Sequence, residues 1–333
     1  MSFKSILFTT LVLSLTKSVI SFSFGEFFHD NVVCLFGECC GRKQIKADFY
    51  KLENLLYYNI YGQHLANKIV IAAMKSHWDS PHAQKALTLS FHGWPGSGKN
   101  YITRFIKESV YLKGSNSRFV HHFMGRVHFP QEKDVPLYRE NLYNWIKGNV
   151  SECPYQIFIF DEVDKMPDRV LDVIKPMIDY NENVDKVDYR KCVFIFLSNT
   201  GGSIITRETL KLWKEGIKRE DIQLKHFEQH ISKGVFNEKG GFYHSDTIKS
   251  NLIDHYIPFL PMEMEHVRLC IVNLFEMRQI KKPSEEAITE VLDFIEWGPE
   301  PERKYSKTGC KRLSQKVALV AHKYRKSNSK EEL

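Results

Sequence analysis

Past its first residues, the sequence lacks any apolar run near the roughly 20 residues that a membrane-crossing helix needs. It has no internal repeat and no long low-complexity segment, which excludes solenoids and extended disordered arrays. Cysteine is sparse, seven in 333 residues. The group Cys34, Cys39 and Cys40 has no downstream partner pattern of the zinc-finger kind. A concentrated basic face is also missing. The formal net charge is +7, but the positive residues are dispersed apart from Lys316–Lys330, which reads as a solvated helix end and not a nucleic-acid surface. With 43% hydrophobic and 26% charged residues, the chain has ordinary globular composition and room for one large domain plus a smaller one.

Both ends carry the pattern of an address. Lys4 precedes the apolar run Ile6–Leu15, too short to span a bilayer and fitting the core of a secretory signal peptide cut near Ser21, with Ser23 as the alternative. A retained anchor is the rival reading. The last residues, Lys330-Glu331-Glu332-Leu333, differ by one conservative change from the Lys-Asp-Glu-Leu retrieval tail. Together they predict residence in the endoplasmic reticulum lumen, and no nucleic-acid partner. The lumen permits disulfides, and an odd cysteine count leaves at least one thiol free or paired between molecules. Cys192 opens an apolar strand and reads as a buried thiol. Asn149-Val150-Ser151 is a glycosylation sequon, open to a glycan if it lies in an exposed loop.

Five segments are expected: a signal peptide (1–21), a cysteine-rich leader (22–47), an α/β nucleotide-binding domain (48–255), a helical lid (256–329) and the tail (330–333). Asp48 caps a predicted helix running to Tyr61, and a second helix, Gln63–His77, presents Leu65, Ile69, Ala72 and Ala73. Strands are predicted at Leu87–His92, Phe119–Phe123, Gln156–Phe160 and Val193–Leu197. Helices are predicted at Lys99–Leu112, Pro136–Lys147 and, crossed by Pro176, Val170–Asp179. Apolar strands alternating with helices specify a parallel sheet covered on both faces. Strand signals fade after about residue 255. Helices follow at His266–Arg278, Ser284–Phe294 and Lys311–Tyr324, with a polar loop at Gly298–Ser306.

Gly93-Trp94-Pro95-Gly96-Ser97-Gly98-Lys99-Asn100 follows a strand and opens a helix. Glycines let the backbone wrap a phosphate, and amides at the helix start hold it. Lys99 is placed to reach the β- and γ-phosphates of ATP. Asn100 stands where a magnesium-binding Ser or Thr is usual, and its amide oxygen is a poorer magnesium ligand. The strand ending Phe160-Asp161-Glu162 delivers two carboxylates, 62 residues beyond Lys99. Asp161 is expected to hold magnesium through water, and Glu162 to polarise the attacking water. Asn199, after the strand Val193–Leu197, can sense a γ-phosphate; read alone, it is an ordinary turn residue before Gly201-Gly202.

At these residues the chain resembles the torsins, lumenal members of the AAA+ ATPases related to Clp-type unfoldases. The resemblance runs over residues 34–325. It rests on Cys34–Cys40, Gly62–Ala66, the Gly-Lys-Asn end of the phosphate loop, Ile157–Met166, Phe194–Gly202, Gly241–Ser245, Ile257–Met262 and Gly309-Cys310-Lys311. It implies an AAA+ phosphate-loop sheet with a small helical lid. It further implies that Lys311 is a lid residue at the γ-phosphate, that Tyr61 and Gly62 lie at the adenine, that Cys270 and Cys310 form a redox-responsive pair, and that Cys153 pairs with Cys34. Where Clp-type proteins have Asn-Arg, this chain has Asn251-Leu252. A missing arginine costs about a thousandfold or more in rate. The resemblance therefore implies weak ATPase activity alone and activation by the lumenal domain of a membrane protein of the lamina-associated polypeptide type. It also implies homo- or hetero-oligomers and client proteins. Phe129-Pro130 lacks a pore-loop signature, which sets threading of polypeptides in doubt. The competing reading is a lumenal holdase for which ATP is only a structural or regulatory ligand.

Overall fold

The computed structural model describes residues 37–41, 45–237, 239–243, 245, 248 and 250–331. The signal-peptide segment, Cys34 and the last two residues of the tail lie outside this set. The chain divides into two compact units, Met1–Lys46 and Ala47–Leu333. In the first, Cys39 and Cys40 are each in a disulfide.

The second unit opens with α1 (Phe49–Asn59) and α2 (His64–Asp79). Asp48 caps α1 as expected, its carboxylate accepting the Lys51 N–H at 2.8 Å. The buried face of α2 is Leu65, Ala66, Val70 and Met74. The expected stripe of Leu65, Ile69, Ala72 and Ala73 is therefore rotated. Val70 and Met74 take the core because theirs is the side of the helix that packs toward the sheet.

The strands β1 (Leu87–His92), β2 (Val120–Met124), β3 (Ile157–Asp161), β4 (Val193–Ser198) and β5 (His255–Pro258) form one sheet in the order β2-β3-β4-β1-β5. All four pairings are parallel. The parallel α/β sheet expected from the pattern is present. β5 is an addition: a four-residue edge strand across the predicted boundary at 255, too short and too close to Pro258 and Pro261 to stand out in the sequence. Register aligns Phe123, Phe160 and Phe196 across three strands, with stacked rings at 5.2 and 5.4 Å. Phe158 and Phe194 stack likewise at 5.1 Å. Each such pair adds about 1 kcal/mol beyond burial, and the ladder fixes the register that aligns the strand ends.

Helices α3 (Lys99–Val110), α4 (Val135–Glu152), α5 (Gly202–Lys214) and α6 (Glu228–Asn237) complete the large domain. The predicted helix over Val170–Asp179 is instead a 3-10 segment, Val170–Ile174, followed by one turn, Lys175–Ile178. Pro176 sits in the first turn of that second piece, where its missing N–H costs nothing. Asn149 lies in the last turn of α4 and not in a loop, its side-chain amide donating to the Trp145 carbonyl at 2.8 Å. Cys153, just after α4, is disulfide-bonded, and Cys192 is free and buried. Phe129 is buried in the core.

The lid comprises α7 (Met264–Glu276), α8 (Glu285–Leu292) and α9 (Leu313–Glu331) around a core including Val267, Ile271, Phe275, Val291 and Val317. The expected polar loop at Gly298–Ser306 contains a small antiparallel pair, β6 (Trp297–Gly298) with β7 (Tyr305–Ser306). No helix among the described residues is long and apolar enough to cross a membrane.

Candidate nucleotide site

The sheet order makes β1, β4 and β3 neighbours, so the residues at their C-terminal ends meet. The phosphate loop follows β1, Asn199 follows β4, and Asp161 ends β3. Ligands of open parallel sheets bind at this edge.

Lys99 opens α3 and is 7% exposed. Its ammonium donates to the carbonyls of Gly93 (2.6 Å) and Trp94 (3.1 Å) and to the Asn199 side-chain oxygen (3.1 Å). Burial lowers its pKa to about 8; Asp164 and Asp161 oppose that shift, and Lys311 adds to it. The loop closes on itself through the Ser97 hydroxyl, which donates to Trp94 O at 2.8 Å. Gly98, at φ +108°, caps α3 without a side chain, so the first helix amides face the cleft.

The Asn100 amide donates to Asp161 Oδ2 at 2.7 Å. Asp161 Oδ1 accepts the Glu162 N–H at 2.8 Å. Burial pushes the Asp161 pKa up, but hydrogen bonds from His122, Asn100 and the Glu162 amide outweigh it and hold the carboxyl below its ordinary range. Glu162 adopts a left-handed backbone, φ 54° and ψ 44°, which turns its side chain out of the strand direction. Gly125 permits this: a Cβ there would sit 2.4 Å from the Glu162 carbonyl.

The lid supplies the other wall. Cys270 and Cys310 are joined by a disulfide. The Cys310 N–H donates to Gly96 O at 3.1 Å, and a Cβ on Gly96 would sit 2.1 Å from Thr308 O. The lid thus rests directly on the phosphate loop. A cleft of about 460 Å³ results, lined by Tyr61, Pro95–Tyr101, Asp161, Glu162 and Asn199 from the large domain and by Cys270, Asn273, Met277, Cys310 and Lys311 from the lid.

Of the predicted residues, Gly93, Trp94 and Gly62 stand behind this lining. Gly93 supplies a carbonyl to Lys99. Trp94 packs on Gly202, where a Cβ would sit 2.6 Å from its ring. Gly62 offers its carbonyl to Arg219 at 2.7 and 3.2 Å, and Arg219 in turn pairs with Glu263 at 3.0 Å. Tyr61 faces the cleft, its hydroxyl accepting from Asn273 at 3.1 Å. Sequence reasoning passed over Arg219, Asn273 and Asp164. Only Asp164 carried a signal, an acid three residues beyond Asp161.

The Torsin family model matches residues 34–160, and a model of the Torsin-1A C-terminal domain matches 262–319. A torsin-like protein of Drosophila melanogaster is 39% identical over 302 residues, 90% of this chain and 89% of its own. One of Caenorhabditis elegans is 36% identical over 312 residues, 92% and 88% of the two chains. The chain belongs to the torsin family. Solved structures of Hsp104 share its AAA+ fold: an ADP complex of the S. cerevisiae protein has a TM-score of 0.59 at 17% identity over 86% of this chain and 49% of that one. A casein complex has a TM-score of 0.57 at 15% identity over 88% and 49%. This torsin spans about half the length of those Hsp104 chains.

Proposed function

We propose that this torsin is an ATPase of the endoplasmic reticulum and nuclear envelope lumen, slow by itself and accelerated by a membrane-anchored activator that donates an arginine. The observation that carries the reading is the convergence of Lys99, Asn100, Asp161, Glu162, Asn199 and Lys311 on one cleft.

In this reading the phosphate loop amides and Lys99 bind the β- and γ-phosphates of ATP, and Tyr61 lies against the adenine. The Asn100–Asp161 pair fits magnesium, since it combines a carbonyl-type oxygen with a carboxylate held in its ionised form. Magnesium, when bound, supplies charge neutralisation at the transferring phosphate. Glu162 orients and polarises the attacking water, Asn199 senses the γ-phosphate, and Lys311 adds a positive charge from the lid. Because Thr308–Lys311 rests on Gly96, nucleotide in the loop bears directly on the lid angle. That coupling supports a chaperone-like remodelling cycle on client proteins or membrane complexes, run by an oligomer.

The requirement for a donated arginine is supported by Leu252. It is 3% exposed, and its carbonyl accepts from Thr88 at 2.7 Å and from Lys85 at 3.1 Å. A buried aliphatic residue there cannot reach a neighbour's phosphate. The Cys270–Cys310 bridge, in the cleft wall, would let thiol redox state alter nucleotide affinity. An asparagine-linked glycan at Asn149 requires that helix end to be open during maturation.

Equilibrium titration and single-turnover hydrolysis test the reading. Lys99→Ala should weaken ATP binding about a hundredfold or more. Glu162→Gln should keep binding and lose hydrolysis, and it should capture the activator in an ATP-dependent pull-down. Rapid hydrolysis by the purified chain alone would sink the donated-arginine requirement.

A further inference from the structure

Asp164 stands behind the residues that line the cleft. It lies in the 3-10 turn Val163–Lys165 that leaves β3, and its side chain is 9% exposed. One carboxylate oxygen accepts the Asn199 N–H at 3.1 Å and lies 3.4 Å from the Ser198 hydroxyl that points at it. The other meets the Lys165 ammonium at 3.1 Å. The Ser198 oxygen accepts the Thr200 N–H at 3.0 Å, so the whole turn after β4 is gathered onto one carboxylate. On the cleft side, the Asn199 side-chain oxygen accepts from Lys99. The turn is also held from behind. The Gly241 N–H donates to Val163 O at 2.9 Å, and a Cβ on Gly240 would sit 2.9 Å from Asp164 Cα.

We propose that Asp164 is a positioning residue: by fixing the Asn199 backbone amide, it aims the Asn199 carboxamide into the cleft beside Lys99 and Glu162. The inference rests on the cleft being an ATP site. Asn199 precedes Thr200-Gly201-Gly202, with Gly201 at φ +78°, and such a turn has little intrinsic rigidity. A polar group that stabilises a transition state has value only if it is already in place when charge develops. An N–H bonded to a carboxylate is among the stronger anchors available. Because the carboxylate holds the amide and not the side chain, the carboxamide remains free to face the phosphate.

The test compares the full-length chain with Asp164→Ala, Asp164→Asn, Asn199→Ala and the double variant Asp164→Ala/Asn199→Ala. Single-turnover ATP hydrolysis, ATP affinity, and hydrogen exchange at the Asn199 amide without nucleotide are the readouts. Asp164→Ala should slow hydrolysis about tenfold or more while ATP affinity stays within about threefold. Asp164→Asn should recover most of the rate, because its amide oxygen still accepts from Asn199. The double variant should be no slower than Asn199→Ala, since the two residues act as one unit. Exchange at Asn199 should accelerate in Asp164→Ala and not in Asp164→Asn. Multiplying rate losses, an Asp164→Asn variant as slow as Asp164→Ala, or unchanged exchange would each overturn the proposal. If Asp164→Ala does not fold, Gly240→Ala, which pushes the turn from behind, should slow the same step with affinity kept, and failure to do so counts against it. A wild-type chain that binds no ATP removes the ATPase reading, while the exchange measurement still decides whether Asp164 holds Asn199.

Discussion

At the start of β1, Asp254 accepts from the Thr88 N–H at 2.8 Å and from Lys85 at 2.8 Å, and the Thr88 hydroxyl donates to Leu252 O. Beyond the far end of the same strand, Lys99, Asp161, Glu162 and Lys311 face an open cleft. Both clusters hold charges of both signs among buried strands. In the first, each named polar group is answered by another protein group, which ties β5 to the sheet. In the second, the Glu162 and Lys311 side chains line an open cleft, and a buried lysine has its pKa pulled down to about 8. Satisfied polar networks specify a fold, whereas perturbed titration collects where a ligand completes the arrangement. The two ends of β1 should therefore answer mutation in opposite ways.

The largest effect is expected at the closed end. Leu252→Arg puts a guanidinium into the core beside Lys85 with no new partner, and should destabilise the fold by more than about 3 kcal/mol. It should not raise ATPase activity, although it restores the residue that Clp-type proteins carry there. Asp254→Ala breaks the partly buried pair with Lys85 and should cost about 3 kcal/mol. Denaturant titration checks both. If Leu252→Arg folds normally and accelerates hydrolysis, the contrast between the two ends fails.

At the open end, Lys99→Ala should lower ATP affinity about a hundredfold or more, the worth of one charge-assisted hydrogen bond to phosphate. Its denaturation midpoint should not fall, because burial of the ammonium opposes folding and its removal relieves that cost. Equal losses of stability and affinity would mean that Lys99 belongs to the fold and not to a ligand.

The open end was also the more legible in the sequence. A phosphate loop, an acidic strand end and a polar residue after a strand are local patterns. A parallel sheet carries each of them to the same edge once the register is set. Leu87–His92 emerged at the positions read from the pattern, and Asp161, Glu162 and Asn199 line the cleft. What stayed hidden depends on contacts distant in sequence. Asp164 acquires its role only because β3 and β4 pair, which brings residues 164 and 199 together. Arg219 matters because it reaches Gly62, 157 residues away. β5 is a strand by virtue of pairing with β1, and its four residues next to prolines give little periodicity. On α2 the apolar residues Ile69 and Ala72 fit a helical stripe as well as Val70 and Met74 do, and only packing against β1 and β5 decides between them.

The smallest effect sharpens the comparison through pH. Burial lowers the Lys99 pKa to about 8 in the unliganded chain. The ammonium is charged below that value and neutral above it. A phosphate against it favours the charged form, so the pKa rises when ATP binds and binding takes up a proton above pH 8. Affinity should thus be nearly flat up to pH 7 and fall as pH rises through 8, by about tenfold between pH 7 and pH 9. The sign is fixed: it is the cationic form that binds, and it is lost towards alkaline pH. Titration of ATP across that range, with Lys99→Ala carried in parallel, isolates the lysine, because the variant should show a flat profile. A wild-type profile that is also flat would mean that the Lys99 ammonium does not titrate in this range, and would remove the electrostatic distinction between the two ends of β1.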